Sequence, residues 1–217
     1  MNIVLLHGFP LDERMWEGQR EVLAGFDVHA PRLYGLGRTV EDWARAVLAQ
    51  VEGEAVAIGL SMGGYVALAM ARLAPERVRG LMLVGSRAGA DTPERRGQRD
   101  GIAVMLREEG VEAWYRQSGN PAPEHWVLEQ PAEDLALAME ALRDRADATD
   151  VVRAYTGPLL VVVGTEDDLL PVEEARAIAE SAPDGRLEVI DGAGHFVNLD
   201  APDPFNGVLR DFLSRWR

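Results

Sequence analysis

The sequence predicts a doubly wound α/β domain, with a six-stranded parallel sheet, helices on both faces and a helical insertion after the fourth strand. Three observations carry this. Short apolar, β-branched runs alternate with helical patterns along most of the chain. The fifth run, Leu159–Val163, is apolar at every position, as in a strand covered on both faces. Between residues 86 and 157 the alternation stops, over a length far beyond the about 2–6 residues that usually join strand to helix.

The first run is Asn2–His7. A helical pattern over Met15–Leu23 follows, then a second run, Phe26–Ala30, closed by Pro31. A helix is expected over Val40–Val51, with Thr39 and Asp42 at capping-box spacing. The third run, Ala55–Ile58, ends at Gly59. The next helix, Tyr65–Leu73, stops before Pro75, and Gly80–Val84 is the fourth run. Beyond it, Ile102, Met105 and Leu106 recur at helical spacing, as do Leu135, Met139 and Leu142, with Pro121, Pro123 and Pro131 as punctuation. Residues 86–157 are therefore expected to form a short helical cap, inserted between core segments 1–85 and 158–217. After Leu159–Val163, a helix opens at Pro171 and ends near Ala182. Leu187–Ile190 is the last strand, and a helix over Phe205–Trp216 closes the chain.

Composition excludes several kinds of function. Hydrophobic residues make up 47% of the 217, enough for a sizeable core. No apolar run approaches the ~20 residues of a membrane span, and Ile3–Leu6 is too short for a signal peptide. A cytoplasmic protein without a membrane partner is expected. There is no Cys, which rules out disulfides, thiolate catalysis and zinc–thiolate sites. All 22 basic residues are Arg, so there is no Schiff-base lysine and no phosphate-binding P-loop lysine. A net charge of −14 repels phosphate backbones, so nucleic acid is not an expected partner. A monomer and a homo-oligomer both remain open.

The strongest motif is Gly59-Leu-Ser61-Met-Gly63, followed by Gly64, between the third strand and the next helix. It fits G-x-S-x-G at a strand-to-helix turn. Such a turn is strained and crowded, so its flanks must be small. It lifts the Ser61 hydroxyl above the carboxyl end of the sheet, at a helix N-terminus whose partial positive charge favours developing negative charge. A serine hydroxyl needs a base near neutral pH. Of four histidines, His29 lies inside a short strand, His125 lies in the cap, and His7 ends the first strand as a brace for the loop that follows. His195, in Asp191-Gly-Ala-Gly-His195, stands in a glycine-bearing loop after the last strand and is the expected base. Its carboxylate partner is sought in Gly164-Thr-Glu-Asp167-Asp168-Leu-Leu-Pro171, directly after the fifth strand; Asp167 is the candidate, with a solvated acidic turn as the plain alternative for its neighbours. Two backbone N–H groups are candidates for an oxyanion hole: Met62, after the serine, and Phe9, in His7-Gly8-Phe9-Pro10.

Taken together, His7–Pro10, Gly59–Gly64, the Gly164-x-x-Asp167-x-x-x-Pro171 turn and Gly192-Ala-Gly-His195 resemble the α/β-hydrolase superfamily along nearly the whole chain. Leu60–Tyr65 and Arg87–Pro93 are most similar to small carboxylesterase and enol-lactonase-like members. The resemblance implies an α/β-hydrolase fold and hydrolysis through an acyl-enzyme without cofactor or metal. It places the acid three residues after Gly164 and four before Pro171, at Asp167. The chain departs from the pattern in three ways. It begins at what is usually the third strand, so the usual first two strands are lacking, and Arg32 and Thr39 stand where Asp and Ser are usual.

The expected activity is cleavage of a small carboxylic ester of small or medium acyl chain. Ser61 is the nucleophile, His195 the base, Asp167 its partner, and Met62 and Phe9 hold the oxyanion. Trp114, Tyr115 and Trp126 are candidates for the substrate pocket, with packing of the cap as the alternative. A second reading keeps these residues and changes the bond, to lactone or carbon–carbon hydrolysis in a ring-cleavage pathway, with Arg87 holding a substrate carboxylate. A third is a non-catalytic ligand-binding protein of the same fold.

Overall fold

The structure, a computed structural model, describes all 217 residues. Six strands form one sheet: β1 (Asn2–Leu6), β2 (Asp27–His29), β3 (Ala55–Leu60), β4 (Val78–Val84), β5 (Leu159–Gly164) and β6 (Gly185–Ile190). Their order is β2-β1-β3-β4-β5-β6, and every neighbouring pair is parallel. The central strands β3 and β5 are buried at every residue, whereas the edge strand β6 alternates half-exposed and exposed positions until Ile190. An all-apolar run fits only where helices cover both faces, and these strands have that cover.

The core helices are α1 (Val40–Gln50), α2 (Met62–Leu73), α8 (Val172–Ser181), α9 (Val197–Asp200) and α10 (Pro202–Leu213). Helix α1 packs on α2; on the other side a 3₁₀ segment, Glu13–Gln19, packs against α9 and α10. The Thr39–Asp42 capping box is formed in both directions, which satisfies two N-terminal backbone donors of α1. The Met15–Leu23 pattern forms the 3₁₀ segment rather than a longer helix, and it starts at the N-cap Asp12.

Between β4 and β5 lie five helices: α3 (Pro93–Glu108), α4 (Val111–Ser118), α5 (Glu124–Leu128), α6 (Ala132–Arg143) and α7 (Thr149–Ala154). Helices α3 and α6 pack along one another and contribute Ala103, Leu106, Leu135 and Met139 to the core. The buried Asp91 carboxylate is held by Arg99 and Arg145, and Arg145 also lies 4.0 Å from the Tyr65 ring. Three further ion pairs tie the inserted helices to the core, each with the arginine on the core side: Arg14–Glu129 (2.6 Å), Arg32–Asp134 (3.2 Å) and Arg72–Asp150 (2.6 Å).

Candidate active site

The chain leaves β1 towards β2 on one side and β3 towards β4 on the other, although β1 and β3 are neighbours. The connections leaving their carboxyl ends therefore run in opposite directions and open a crevice between them, at the switch point where open α/β sheets bind ligands. His7–Pro10 follows β1 and Ser61 follows β3, so both motifs border this crevice.

Ser61 is the one non-glycine residue with positive φ, at φ 49° and ψ −108°. Such a backbone costs on the order of 1–3 kcal/mol and persists only where its surroundings enforce it. Here the enforcement is explicit. The Ser61 N–H donates to the Val84 carbonyl (2.8 Å), and its carbonyl accepts from the Ser86 hydroxyl (2.8 Å) and the Gly64 N–H (3.0 Å). The glycines are required by close approach: a Cβ on Gly59 would fall on the Gly63 backbone, and one on Gly63 on the Leu6 carbonyl. None of these bonds uses the Ser61 hydroxyl.

Across the sheet, the Asp167 and His195 side chains meet. Nδ1 of His195 lies 2.9 and 3.0 Å from the two carboxylate oxygens, and both side chains are buried. Oδ1 of Asp167 also accepts the N–H groups of Leu169 (2.8 Å) and Leu170 (3.0 Å), which fixes the carboxylate in its turn. A carboxylate facing Nδ1 holds the proton there and leaves Nε2 as the basic nitrogen. Asp168 and Glu166 point to solvent. The two loops are stitched together, since the Glu166 N–H donates to Ala193 and the Gly192 N–H to the Thr165 hydroxyl. His195 reaches back over β5 as far as Gly85, at the end of β4. A Cβ built on Gly85 would stand 3.1 Å from both Asp167 Oδ2 and His195 Nδ1. Because Ser61 is bonded to Val84 and Ser86, the residues on either side of Gly85, the elbow and the Asp167–His195 pair converge on this short segment.

The loop after β1 is built on His7, which is completely buried. Nε2 accepts the Leu33 N–H (2.9 Å), so Nδ1 carries the proton and donates to the Gly8 carbonyl (3.2 Å). Both bonds together require neutral imidazole, and burial accordingly lowers its pKa to about 4. Gly8 passes close to β3, where a Cβ would press on the Leu60 side chain. The N–H of Phe9 makes no hydrogen bond in the fold, and Met62 opens α2, where N–H groups lack an intrahelical acceptor.

The His7 geometry has a consequence for stability. Its folded pKa lies below the 6.5 of a free histidine, so between pH 6.5 and 4 the unfolded chain binds the extra proton. The contribution is present above pH 6.5 and is lost as pH falls towards 4. It amounts to about 3 kcal/mol in full, of which about 2 kcal/mol should be gone at pH 5. Urea unfolding of the wild type and of His7→Gln at pH 7.5 and 5 tests this. The variant should show a smaller pH dependence, and an identical dependence in both would contradict it.

The inserted helices reach this loop. The Trp114 ring stands edge-on to Phe9, with centroids 5.4 Å apart. Asp12, buried three residues beyond Phe9, accepts from Arg14 and from the Gln130 side chain (2.7 Å). Burial alone would raise the Asp12 pKa; these hydrogen bonds outweigh it and hold it at about 2. Trp126 lies beneath Arg14, 5.8 Å from guanidinium to ring. The Tyr115 hydroxyl is turned inward, donating to the Ala122 carbonyl (2.7 Å). Arg87 is not free: its Nε lies 2.7 Å from Glu174, and its side chain is only 13% exposed. The sequence assigns no role to Gly85 or Ser86. The signal was a glycine at the end of a strand beside the elbow, which gains meaning only once β4 is known to lie between β3 and β5.

The family model described as the Alpha/beta hydrolase family matches residues 3–208. A pimeloyl-[acyl-carrier protein] methyl ester esterase of Aromatoleum aromaticum is 29% identical, covering 98% of this chain and 98% of the relative. The protein of the same name in Cronobacter sakazakii is 30% identical over 99% of this chain and 93% of its own length. Among solved structures, a thermophilic esterase from Thermogutta terrifontis superposes with a TM-score of 0.90 at 34% identity, covering 99% of this chain and 90% of the other. The enol-lactonase from Burkholderia xenovorans superposes with a TM-score of 0.84 at 25% identity, covering 98% and 91%.

Proposed function

The chain belongs to the Alpha/beta hydrolase family, and from that premise we propose that it is a cofactor-free carboxylic ester hydrolase working through an acyl-enzyme on Ser61. The observation that carries this is the strained Ser61 turn, converging on the same segment as the buried Asp167–His195 pair. Strain of this kind at one non-glycine residue, enforced from three sides, is expected where the backbone must present a side chain to a ligand. The esterase names of its relatives support the choice of bond.

In this mechanism His195 Nε2 takes the Ser61 proton as the oxygen attacks the ester carbonyl. Asp167 keeps the imidazole in the Nδ1–H tautomer and stabilises its cation. The N–H groups of Phe9 and Met62 receive the oxyanion, with the N-terminus of α2 adding its partial positive charge. The protonated His195 then gives its proton to the departing alcohol, and water repeats the cycle to release the acid. No helix is long and apolar enough to cross a membrane, and a small ester met in the cytoplasm fits such an enzyme.

Residues 86–157 act in this reading as a cap that sets acyl length. Trp114 is the first candidate for this role, since its buried ring packs on Phe9, whose N–H is a donor in the proposed oxyanion hole. A panel of p-nitrophenyl esters from acetate to decanoate tests function and pocket together. Trp114→Ala should shift the preference towards longer chains by removing the indole from Phe9, with Tyr115→Phe and Trp126→Ala as comparisons. An unchanged ranking in all three variants would put the pocket elsewhere, and no turnover of any ester by the wild type would count against an esterase.

A further inference from the structure

The inserted helices bear on one short segment of the core, residues 9–14. Trp114 of α4 packs edge-on against Phe9 (5.4 Å between centroids), and Trp126 of α5 lies under Arg14 (5.8 Å). Glu129 pairs with Arg14 (2.6 Å), and Gln130 Nε2 donates to Asp12 (2.7 Å). The segment is in turn seated against the reacting groups. A Cβ built on Gly8 would stand 2.8 Å from the side chain of Leu60, which precedes Ser61, and 3.7 Å from the ring of Phe196, which follows His195. Residues 8–15 form a closed turn. The Leu11 N–H donates to the Gly8 carbonyl (2.9 Å), the Met15 N–H to the Asp12 carbonyl (3.2 Å), and the Gly8 N–H to the Met15 sulfur (3.2 Å). A shift of Asp12 is therefore passed back to Gly8 and Phe9.

Of the two polar contacts, the one from Gln130 is the buried one. Glu129 is 57% exposed, so its pair with Arg14 is screened by solvent. Asp12 and Gln130 are both buried, where a hydrogen bond to a carboxylate is strong and directional. Gln130 Nε2 uses both of its protons, one on Asp12 and one on the Trp126 carbonyl (3.1 Å). The amide thus bridges the backbone of the cap and a carboxylate of the core. On its other side that carboxylate is gripped by Arg14, through the backbone N–H (3.1 Å), Nε (2.9 Å) and Nη2 (2.7 Å). Its orientation is fixed from both sides.

We propose that Gln130 and Asp12 are positioning residues: through their hydrogen bond the cap holds the loop that presents the Phe9 N–H to the oxyanion. This rests on the hydrolase reading above. A donor in such a hole works only if it is aimed where charge develops, and losing one costs about 10²–10³-fold in kcat. Loosening its support costs part of that, since a misplacement of about 1 Å can already cost about 10²-fold. The oxyanion is common to every ester, so the loss falls on kcat alike for short and long acyl chains. That separates Gln130 from Trp114, whose replacement acts on chain-length preference.

The test uses two variants and two esters, p-nitrophenyl butyrate and octanoate. Gln130→Leu keeps much of the volume and removes the donor. At pH 8 it should lower kcat for both esters by the same factor, about 10–100-fold, with KM within about threefold. Gln130→Glu should lose at least as much at pH 8, where its carboxylate faces that of Asp12. As pH falls to 5.5 the new carboxyl, its pKa raised by burial and by the Asp12 charge, gains a proton and donates it to Asp12. Relative to the wild type, kcat of Gln130→Glu should therefore rise by about threefold or more from pH 8 to 5.5, while that of Gln130→Leu stays flat. The ratio divides out the titration of His195, and recovery within one sample separates positioning from unfolding. Three results would overturn the proposal and leave the hydrolase reading standing: kcat within about threefold of wild type in both variants at pH 8, a loss that lies in KM or differs between the esters, or a Gln130→Glu ratio indifferent to pH. A wild type that turns over neither ester would overturn that reading and this proposal with it.

Discussion

Ser61→Ala is expected to lower turnover of an activated ester by about 10⁴–10⁶-fold while leaving the protein folded. The expectation separates chemistry from structure because the fold uses Ser61 only through its backbone. Its N–H is bonded to Val84 and its carbonyl to Ser86 and Gly64. Alanine keeps those bonds and the same Cβ in the same strained turn, so stability should change by less than about 0.5 kcal/mol. What is lost is the oxygen that forms the acyl bond in the proposed mechanism. Steady-state rates with p-nitrophenyl butyrate, set beside thermal unfolding of both proteins, check both halves. A folded variant retaining more than a tenth of wild-type activity would remove Ser61 from the mechanism.

The second large effect distinguishes two adjacent acids. Asp167→Asn should lower the chemical rate by up to about 10⁴-fold. The Asp167 carboxylate accepts one proton from His195 Nδ1 and two from the Leu169 and Leu170 N–H groups. An amide there can turn its NH₂ towards Nδ1, which favours the tautomer with the proton on Nε2 and removes the base. Asp168→Asn should cost less than about tenfold, because Asp168 points to solvent and acts only through a screened field. Both variants are compared with one activated ester at one pH. A larger loss in the Asp168 variant would contradict the assignment, as would a loss below tenfold in the Asp167 variant.

The sheet was legible because its strands are apolar runs punctuated by glycine and proline, and the parallel order follows from the helices between them. The ends of elements were less so. Strand β3 was expected to stop at Ile58 but continues through Gly59 and Leu60 to the elbow, paired with Leu6, Leu83 and Val84. Glycine reads as a strand breaker, yet here it stays in the ladder because a side chain would strike the Gly63 backbone. For the same reason α2 starts at Met62, three residues before the expected Tyr65: packing against Leu6 outweighs the poor helix propensity of Gly63 and Gly64. Strand β4 begins at Val78 rather than Gly80, across a shift in its pairing with β3.

The pairing of Asp167 with His195 was implied by the resemblance, and the two side chains lie 2.9 Å apart. The state of Arg87 was not implied. A sequence places it just beyond β4 as a cation available to substrate, whereas its partner, Glu174, comes from α8, on the far side of the insertion in the chain. Pairings between residues so distant along the chain leave no periodic signal. The same holds for Gly85, whose meaning depends on which strands flank β4.

The measurement that bears most directly on the mechanism is covalent labelling by a fluorophosphonate, read by intact mass and peptide mapping. Phosphonylation requires a serine activated by its base, so the wild type should take up one adduct, located on Ser61, and lose activity in step with labelling. Ser61→Ala should take up none, and His195→Gln should label far more slowly. A stoichiometric adduct on any other residue, or an unlabelled wild type that still hydrolyses esters, would contradict a Ser61 acyl-enzyme.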